Sequence, residues 1–364
     1  MSPTSTVLFD SSFRLLSREA LDEVLDAVPN VSDFYFCDGE PVRATVRGKT
    51  VQVTRRVLDS GEIRALVTIL GDDAIGLHQN LMTDATPRDR AYVSQSSRVR
   101  HRVSLTVNSA KLSKAIRVVM RRLEETPWRL EDLRLPHGFI DAVLTTKPGL
   151  VMVLGATGSG KTSLLSGGLR AVVEPPENHG HLVSIEEPVE YTYDRIASPN
   201  FMVSQLEVGT GCSSFAEGMR AAMRMHPTHI LIGEIRDPQT AAAAIAAARS
   251  GHRVFATMHT SSVPEMFARW TDFFDVSVQR RAIADLATVI DYAVYQTLED
   301  TARGYMPVQE SCSFMDVTRS KFVSKVTQNI DDLYGLFEKL VGAWGVPHAM
   351  DRADCNRPLE SVAL

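Results

Sequence analysis

Residues 155 to 162, GATGSGKT, constrain this chain more than any other stretch. They fit G-x-x-x-x-G-K-[ST], follow the apolar run 150–154 and precede a helix-compatible segment, which is the context in which this pattern cradles phosphate. Gly155, Gly158 and Gly160 let backbone N–H groups converge on phosphate oxygens, and the helix N-terminus behind them adds a partial charge of roughly +0.5. Ala156, Thr157, Ser159 and Ser163 complete the expected cradle for ATP. Lys161 is placed to reach the β and γ phosphates, and Thr162 to offer its hydroxyl to Mg²⁺. The base-reading N-K-x-D tetrapeptide of a GTPase is absent, which favours ATP over GTP.

A phosphate loop of this kind needs a parallel sheet around it, and the following sequence supplies one. LVMVLG, HLVSIE, HILIGE and VFATMH read as apolar strands, with helical segments from 161, near 214–225 and at 238–249 between them. That order implies βαβ units with ligands at the carboxyl ends of the strands. Ahead of this α/β region lies a smaller α+β unit. Leu21, Val24, Leu25 and Val28 share a helical face, 42–53 alternates at period two around Gly48, and 62–80 suggests a second helix capped by Asp59 or Ser60. RHRVSLTVN at 100–108 alternates again, with Val103, Leu105 and Val107 on one side. The segment EETPWRLEDLRLP, with two prolines and mixed charge, reads as the linker. The expected organisation is therefore 1–123 as the first domain, 124–136 as the linker with the boundary near 135, 137–310 as the nucleotide domain and 311–364 as a mainly helical extension. DVSVQRRAIADLATVIDYAVYQTL at 275–298 reads as a core helix with Ile283, Leu286, Ala287, Ile290 and Val294 along one stripe.

Hydrolysis requires carboxylates beside the phosphates. In most phosphate-loop ATPases an apolar strand ends in Asp, which holds Mg²⁺, and a catalytic Glu often follows. HILIGEIRD puts Gly233 at the Asp position and leaves Glu234 at the strand tip. The missing carboxylate is available from SIEEPVEY, where Glu186 and Glu187 end another strand. Glu234 is thus the expected base or water-orienting residue and Glu186 its partner on the metal or water side, with the roles open to exchange; both, with Thr162, are expected at the metal. Glu187 and Glu190 are read as capping or solvating the loop.

These four stretches, GATGSGKT, IEEPVEY, HILIGEIRD and GHRVFATMHT, stand in order at suitable separations, and together they resemble the secretion ATPase superfamily. That superfamily includes PilT-like pilus-retraction motors and the ATPases of type IV secretion, and it knows these signatures as the Walker A, Asp, Walker B and His boxes. RIASPNFMVSQLEV at 195–208 is similar to the DotB-like branch of Dot/Icm secretion and the related TraJ ATPases of conjugative plasmids. The likeness is strong over about 137–300, weaker over 30–125 and not usable after about 310. Two residues depart from the family pattern: Glu187 stands for the usual Asp, and Thr228 follows Pro227 where Asp is common.

The resemblance implies a RecA-like core behind a PAS-like N-terminal domain. It further implies a homohexameric ring that hydrolyses ATP at subunit interfaces, working with components of an inner-membrane secretion or transfer complex at the cytoplasmic face. In such a ring His259 reports the γ-phosphate state, while His252 positions its strand or a subunit contact. A metal reading of the two histidines would need further ligands at recognisable spacing, and neither H-E-x-x-H nor a Cys/His cluster occurs. Arginines of the N-terminal region can reach the phosphates of a neighbour, which makes Arg100 and Arg102, with Arg121 or Arg122, candidates. Arg220 and Arg224, four apart on a helix, are further candidates for the same work.

Composition bears on the competing classes. A net charge of −5 gives no chain-wide attraction to nucleic acid or anionic lipid, although 98–122 holds eight Lys or Arg and no acid. Stable direct binding of nucleic acid is therefore not expected. A helicase-type motor and a scaffold that binds ATP without splitting it remain the alternatives to a secretion or pilus motor. The four cysteines are widely spaced with no C-x-x-C pair, which fits a reducing compartment. No run of 18 apolar residues occurs and the first residues lack a signal-peptide pattern, so membrane association is expected only through partners.

Overall fold

Leu150, Met152 and Leu154 bury on one face of a strand while Val151 and Val153 bury on the other, so both faces of the sheet at this point must be covered by helices. The computed structural model, which describes residues 8–46, 48–71, 76–108, 114–123, 126–301, 304–315 and 319–336, shows how the chain does this. It divides into two compact units, Met1–Glu125 and Thr126–Leu364.

In the first unit the elements run α1 (Arg18–Ala27), β1 (Val31–Cys37), β2 (Arg43–Val46), β3 (Lys49–Gln52), α2 (Ser60–Leu70), α3 (Gly76–Asp84), β4 (Arg88–Val93), β5 (Arg100–Asn108) and β6 (Ala115–Arg122). The strands form one antiparallel sheet in the order β3-β2-β1-β6-β5-β4. Leu21, Val24 and Leu25 of α1 and Val103 and Leu105 of β5 enter its core. The expected helix over 62–80 is two helices. Asp59 closes a capping box with Glu62 at the start of α2, and Gly71 ends it after Leu70.

The second unit contains α4 (Phe139–Leu144), β7 (Gly149–Leu154), α5 (Lys161–Val173), β8 (Gly180–Glu186), β9 (Phe201–Glu207), α6 (Phe215–Ala222), β10 (His229–Ile232), α7 (Pro238–Arg249), β11 (Arg253–Met258), α8 (Val263–Asp272), α9 (Val276–Val289), β12 (Ile290–Thr301), β13 (Gly304–Ser313) and α10 (Arg319–Gln328). Its sheet has the order β13-β12-β7-β11-β10-β8-β9 and is parallel except for β13. α4 and α5 cover one face; residues of α6 to α10 form the apolar layer on the other. This is the mixed α/β architecture expected for a RecA-like core, with a separate α+β unit before it.

Three sequence expectations change here. The helix read over 275–298 ends at Val289, and Ile290–Thr301 becomes β12 beside β7. Its β-branched and aromatic residues, including Ile290, Tyr292 and Val294, are buried at a position covered on both faces, where a strand shows no period-two alternation to betray it. The stretch read as a linker is packed: Arg170 of α5 donates to the Pro127 carbonyl at 2.6 Å, and the division between units falls at Glu125/Thr126 rather than near 135. The proposed extension from 311 is also part of the core, since β13 runs through that point and Phe322 and Val326 of α10 are buried in the main cluster. Residues 337–364 lie outside the described residues.

Each unit buries a neutral histidine. His101 on β5 is 1% exposed and His229 on β10 is 6% exposed. Burial, with Arg122 near the first and Arg253 near the second, pushes both down to about 4. The unfolded chain binds these protons near pH 6.5 and the native chain does not, so the stability they contribute is complete above pH 6.5 and is lost as pH falls toward 4. Each site is expected to forfeit roughly 2 kcal/mol by pH 5. Denaturant midpoints measured at pH 7.5 and pH 5 should therefore diverge, and His229→Phe should narrow the gap; an unchanged gap would show that His229 is not buried neutral.

Candidate active site

The phosphate loop joins β7 to α5, and its backbone has the curvature the sequence requires. Gly155, Gly158 and Gly160 adopt φ of 146°, 77° and 83°. A Cβ on Gly160 would lie 2.7 Å from Gln296 Nε2, and one on Gly155 would collide with the Gln296 carbonyl. Lys161, 8% exposed, turns back to donate to the carbonyls of Gly155 at 2.9 Å and Ala156 at 2.7 Å. Desolvation lowers its ammonium from the usual range, and the carboxylates of Glu234 and Glu190 oppose that shift. The buried Ser159 hydroxyl has no hydrogen-bond partner among the described residues. A cation resting on loop carbonyls, a bare hydroxyl and a glycine-shaped cradle at a helix N-terminus fit a polyphosphate. The Ser163 hydroxyl sits 2.9 Å from that of Tyr191; Thr162 is the second residue of α5.

The carboxylates come from the neighbouring strand ends. β10 stops at Ile232, two residues before the end of the strand read from HILIGE, yet the following backbone is held on both sides. Gly233 N–H donates to the Ile185 carbonyl at 2.7 Å, and Ile235 N–H to the Thr257 carbonyl at 2.9 Å. Glu234 is fixed between them, with its Oε1 3.5 Å from Nε2 of His259. A side chain at 233 would place its Cβ 3.2 Å from both the Glu186 Cα and the Ile185 carbonyl, a tight approach that a glycine avoids. Glu186 ends β8 at 6% exposure and accepts from Ser184 Oγ at 2.6 Å and Gln205 Nε2 at 3.2 Å.

The structure thus brings Lys161, Glu234 and His259 together and places Glu186 on the adjacent strand tip. It adds Glu190, read from sequence as a solvated loop residue, whose carboxylate acts on the Lys161 ammonium. Glu187 instead pairs with Arg236. His252 contacts the Ala247 carbonyl at 2.9 Å and so caps α7. Arg220 and Arg224 are exposed on and just after α6. Arg100 and Arg102 lie on β5 in the first unit, where Arg102 is 3.6 Å from Asp89; Arg121 pairs with Asp33 at 2.7 Å. Among the described residues no group of three or more His, Cys, Asp or Glu could hold a metal by itself. Mg²⁺ fits here only in its usual manner, through one or two protein oxygens such as Thr162 and a carboxylate together with phosphate oxygens. Gln296 escaped sequence reading because its segment looked helical. Also among the described residues, no helix is long and apolar enough to cross a membrane.

Comparison with known proteins agrees with this fold. Residues 78–327 match the model of the family described as type II/IV secretion system protein. The crystal structure of the ATPase DotB from Legionella pneumophila superposes with a TM-score of 0.82 at 29% identity, covering 90% of this chain and 89% of that one. The uncharacterized protein YggR of Escherichia coli is 32% identical over 74% of this chain and 78% of its own length. The type IV pilus ATPase PilU of Pseudomonas aeruginosa is 30% identical over 75% of this chain and 68% of its own length.

Proposed function

We propose, from the premise that this chain belongs to the type II/IV secretion system protein family, that it hydrolyses ATP to drive a type IV secretion or conjugative transfer apparatus. The likeness to DotB over nine-tenths of the chain favours secretion, and the observation that carries hydrolysis is the Glu234–His259 pair facing the Lys161 loop. In this reading the chain acts as a homohexamer at the cytoplasmic face of the inner membrane, with membrane components as partners.

On nucleotide binding, Lys161 exchanges the Gly155 and Ala156 carbonyls for phosphate oxygens, and the loop N–H groups take the remainder. Glu234 orients a water for attack on the γ phosphorus and accepts its proton as the P–O bond to the leaving ADP breaks. Thr162 would hold Mg²⁺, with Glu186 on its water side, and the ion when bound would neutralise charge on the phosphates. His259, which follows β11, hydrogen-bonds the γ-phosphate or the departing phosphate and, through Glu234, links its presence to the end of β10. Arg100, Arg102 and Arg220 are available to stabilise the transferred charge from a neighbouring copy. The type IV pilus retraction ATPase PilT of Pseudomonas aeruginosa, 28% identical over 75% of this chain, supports pilus retraction as the second reading.

Purified protein is expected to release phosphate from ATP without stimulation by DNA. His259→Ala should lower kcat about 10- to 100-fold and leave ATP affinity within about threefold, because its contact in the structure is with Glu234 and not with the loop that cradles the phosphates. Equal losses in both would contradict the sensor role, and strong stimulation by DNA that fades with salt would favour a nucleic-acid motor.

A further inference from the structure

Gln296 of β12 is 4% exposed and lies one residue beyond the Tyr295–Leu154 pairing, beside the start of the phosphate loop. Its Nε2 donates to the Ser159 carbonyl at 2.7 Å. Gln309 of β13, its cross-strand partner, donates from Nε2 to Gln296 Oε1 at 2.7 Å and to the Arg134 carbonyl at 2.9 Å. A backbone carbonyl only accepts, so Ser159 and Arg134 fix the orientation of both amides. The chain of donors runs one way, from Gln309 to Gln296 to the loop.

We propose that Gln296 is a positioning residue for the nucleotide and that Gln309 sets the direction of its amide. By holding the Ser159 carbonyl toward the sheet, Gln296 keeps the loop's N–H groups turned to the phosphates; Gly155 and Gly160 pack so near it that a Cβ on either would collide with it. This rests on the nucleotide reading above. A reversed amide would set Oε1 against the Ser159 carbonyl, two acceptors in a buried place, and would push the loop out of shape.

The test is ADP binding with Mg²⁺, by calorimetry on the full chain, with melting of the ligand-free protein measured alongside. Gln296→Glu, the same size with an acceptor in place of the donor, should weaken ADP about tenfold. Because it sets a carboxylate against the Ser159 carbonyl at a 4% exposed site, the ligand-free melting temperature should fall with it. At Gln309 the two substitutions should differ. Gln309→Glu can only accept, so it draws Gln296 Nε2 away from the loop and should weaken ADP about as much as Gln296→Glu does. Gln309→Leu leaves Gln296 facing the loop and should weaken ADP less than about threefold. A role in packing alone would make leucine at least as harmful as glutamate. Equal losses in the two Gln309 variants, or wild-type affinity in Gln309→Glu, would overturn the proposal. Should Gln296→Glu fail to fold, the half-buried Gln309 pair decides it alone. Failure of the unaltered chain to bind ADP would instead remove the nucleotide reading.

Discussion

Lys161→Ala is expected to weaken ATP binding by about 10²- to 10³-fold while leaving the folded chain as stable as before, or slightly more so. The ammonium is 8% exposed and spends its hydrogen bonds on two loop carbonyls, Gly155 and Ala156. Desolvation is the largest influence on it and disfavours the charge, which marks a group kept for a ligand rather than for the fold. With a polyphosphate bound, the same ammonium makes charge-assisted bonds to oxygens that alanine leaves unpaired. Titration of a fluorescent ATP analogue and thermal melting on the same preparation check both halves. Loss of binding accompanied by a large loss of stability would mean that Lys161 is structural.

Glu234→Gln separates binding from chemistry. The amide has the same shape, so the hydrogen bonds of Gly233 and Ile235 that fix this position are unaffected. What is lost is the group that orients water and takes its proton, a contribution of about 10²- to 10⁴-fold in rate. ATP affinity should hold or rise slightly, because one negative charge leaves the neighbourhood of the phosphates. A chain that binds ATP only as a structural ring would show no difference between the two forms.

The parts of this site that were legible in the sequence are those in which local chemistry dictates the conformation. Three glycines with positive φ and a lysine at a helix start leave few alternatives, and strands buried on both faces read as apolar runs. Asp237 capping α7 with Pro238 behind it is equally direct. Other features depend on packing that no short window contains. Ile283, Leu286, Ala287 and Ile290 keep helical spacing up to the residue where α9 becomes β12, and the strand beyond is identified only by its neighbour β7. Gln296 was hidden by that error. Glu190 reads as a solvated residue because its distance in sequence from Lys161 gives no hint that the loop after β8 brings its carboxylate within reach of that ammonium. The segment after residue 125 looked like a linker since its prolines and charges are those of one; its contact with Arg170 is tertiary.

The most direct test of the central claim, that Glu234 splits ATP held by the Lys161 loop, is single-turnover phosphate release from pre-bound ATP and Mg²⁺. Unaltered protein should release phosphate in one phase, while Glu234→Gln, saturated with the same nucleotide, should release it at least about a hundredfold more slowly. Equal rates at equal occupancy would place the chemistry elsewhere and contradict the account.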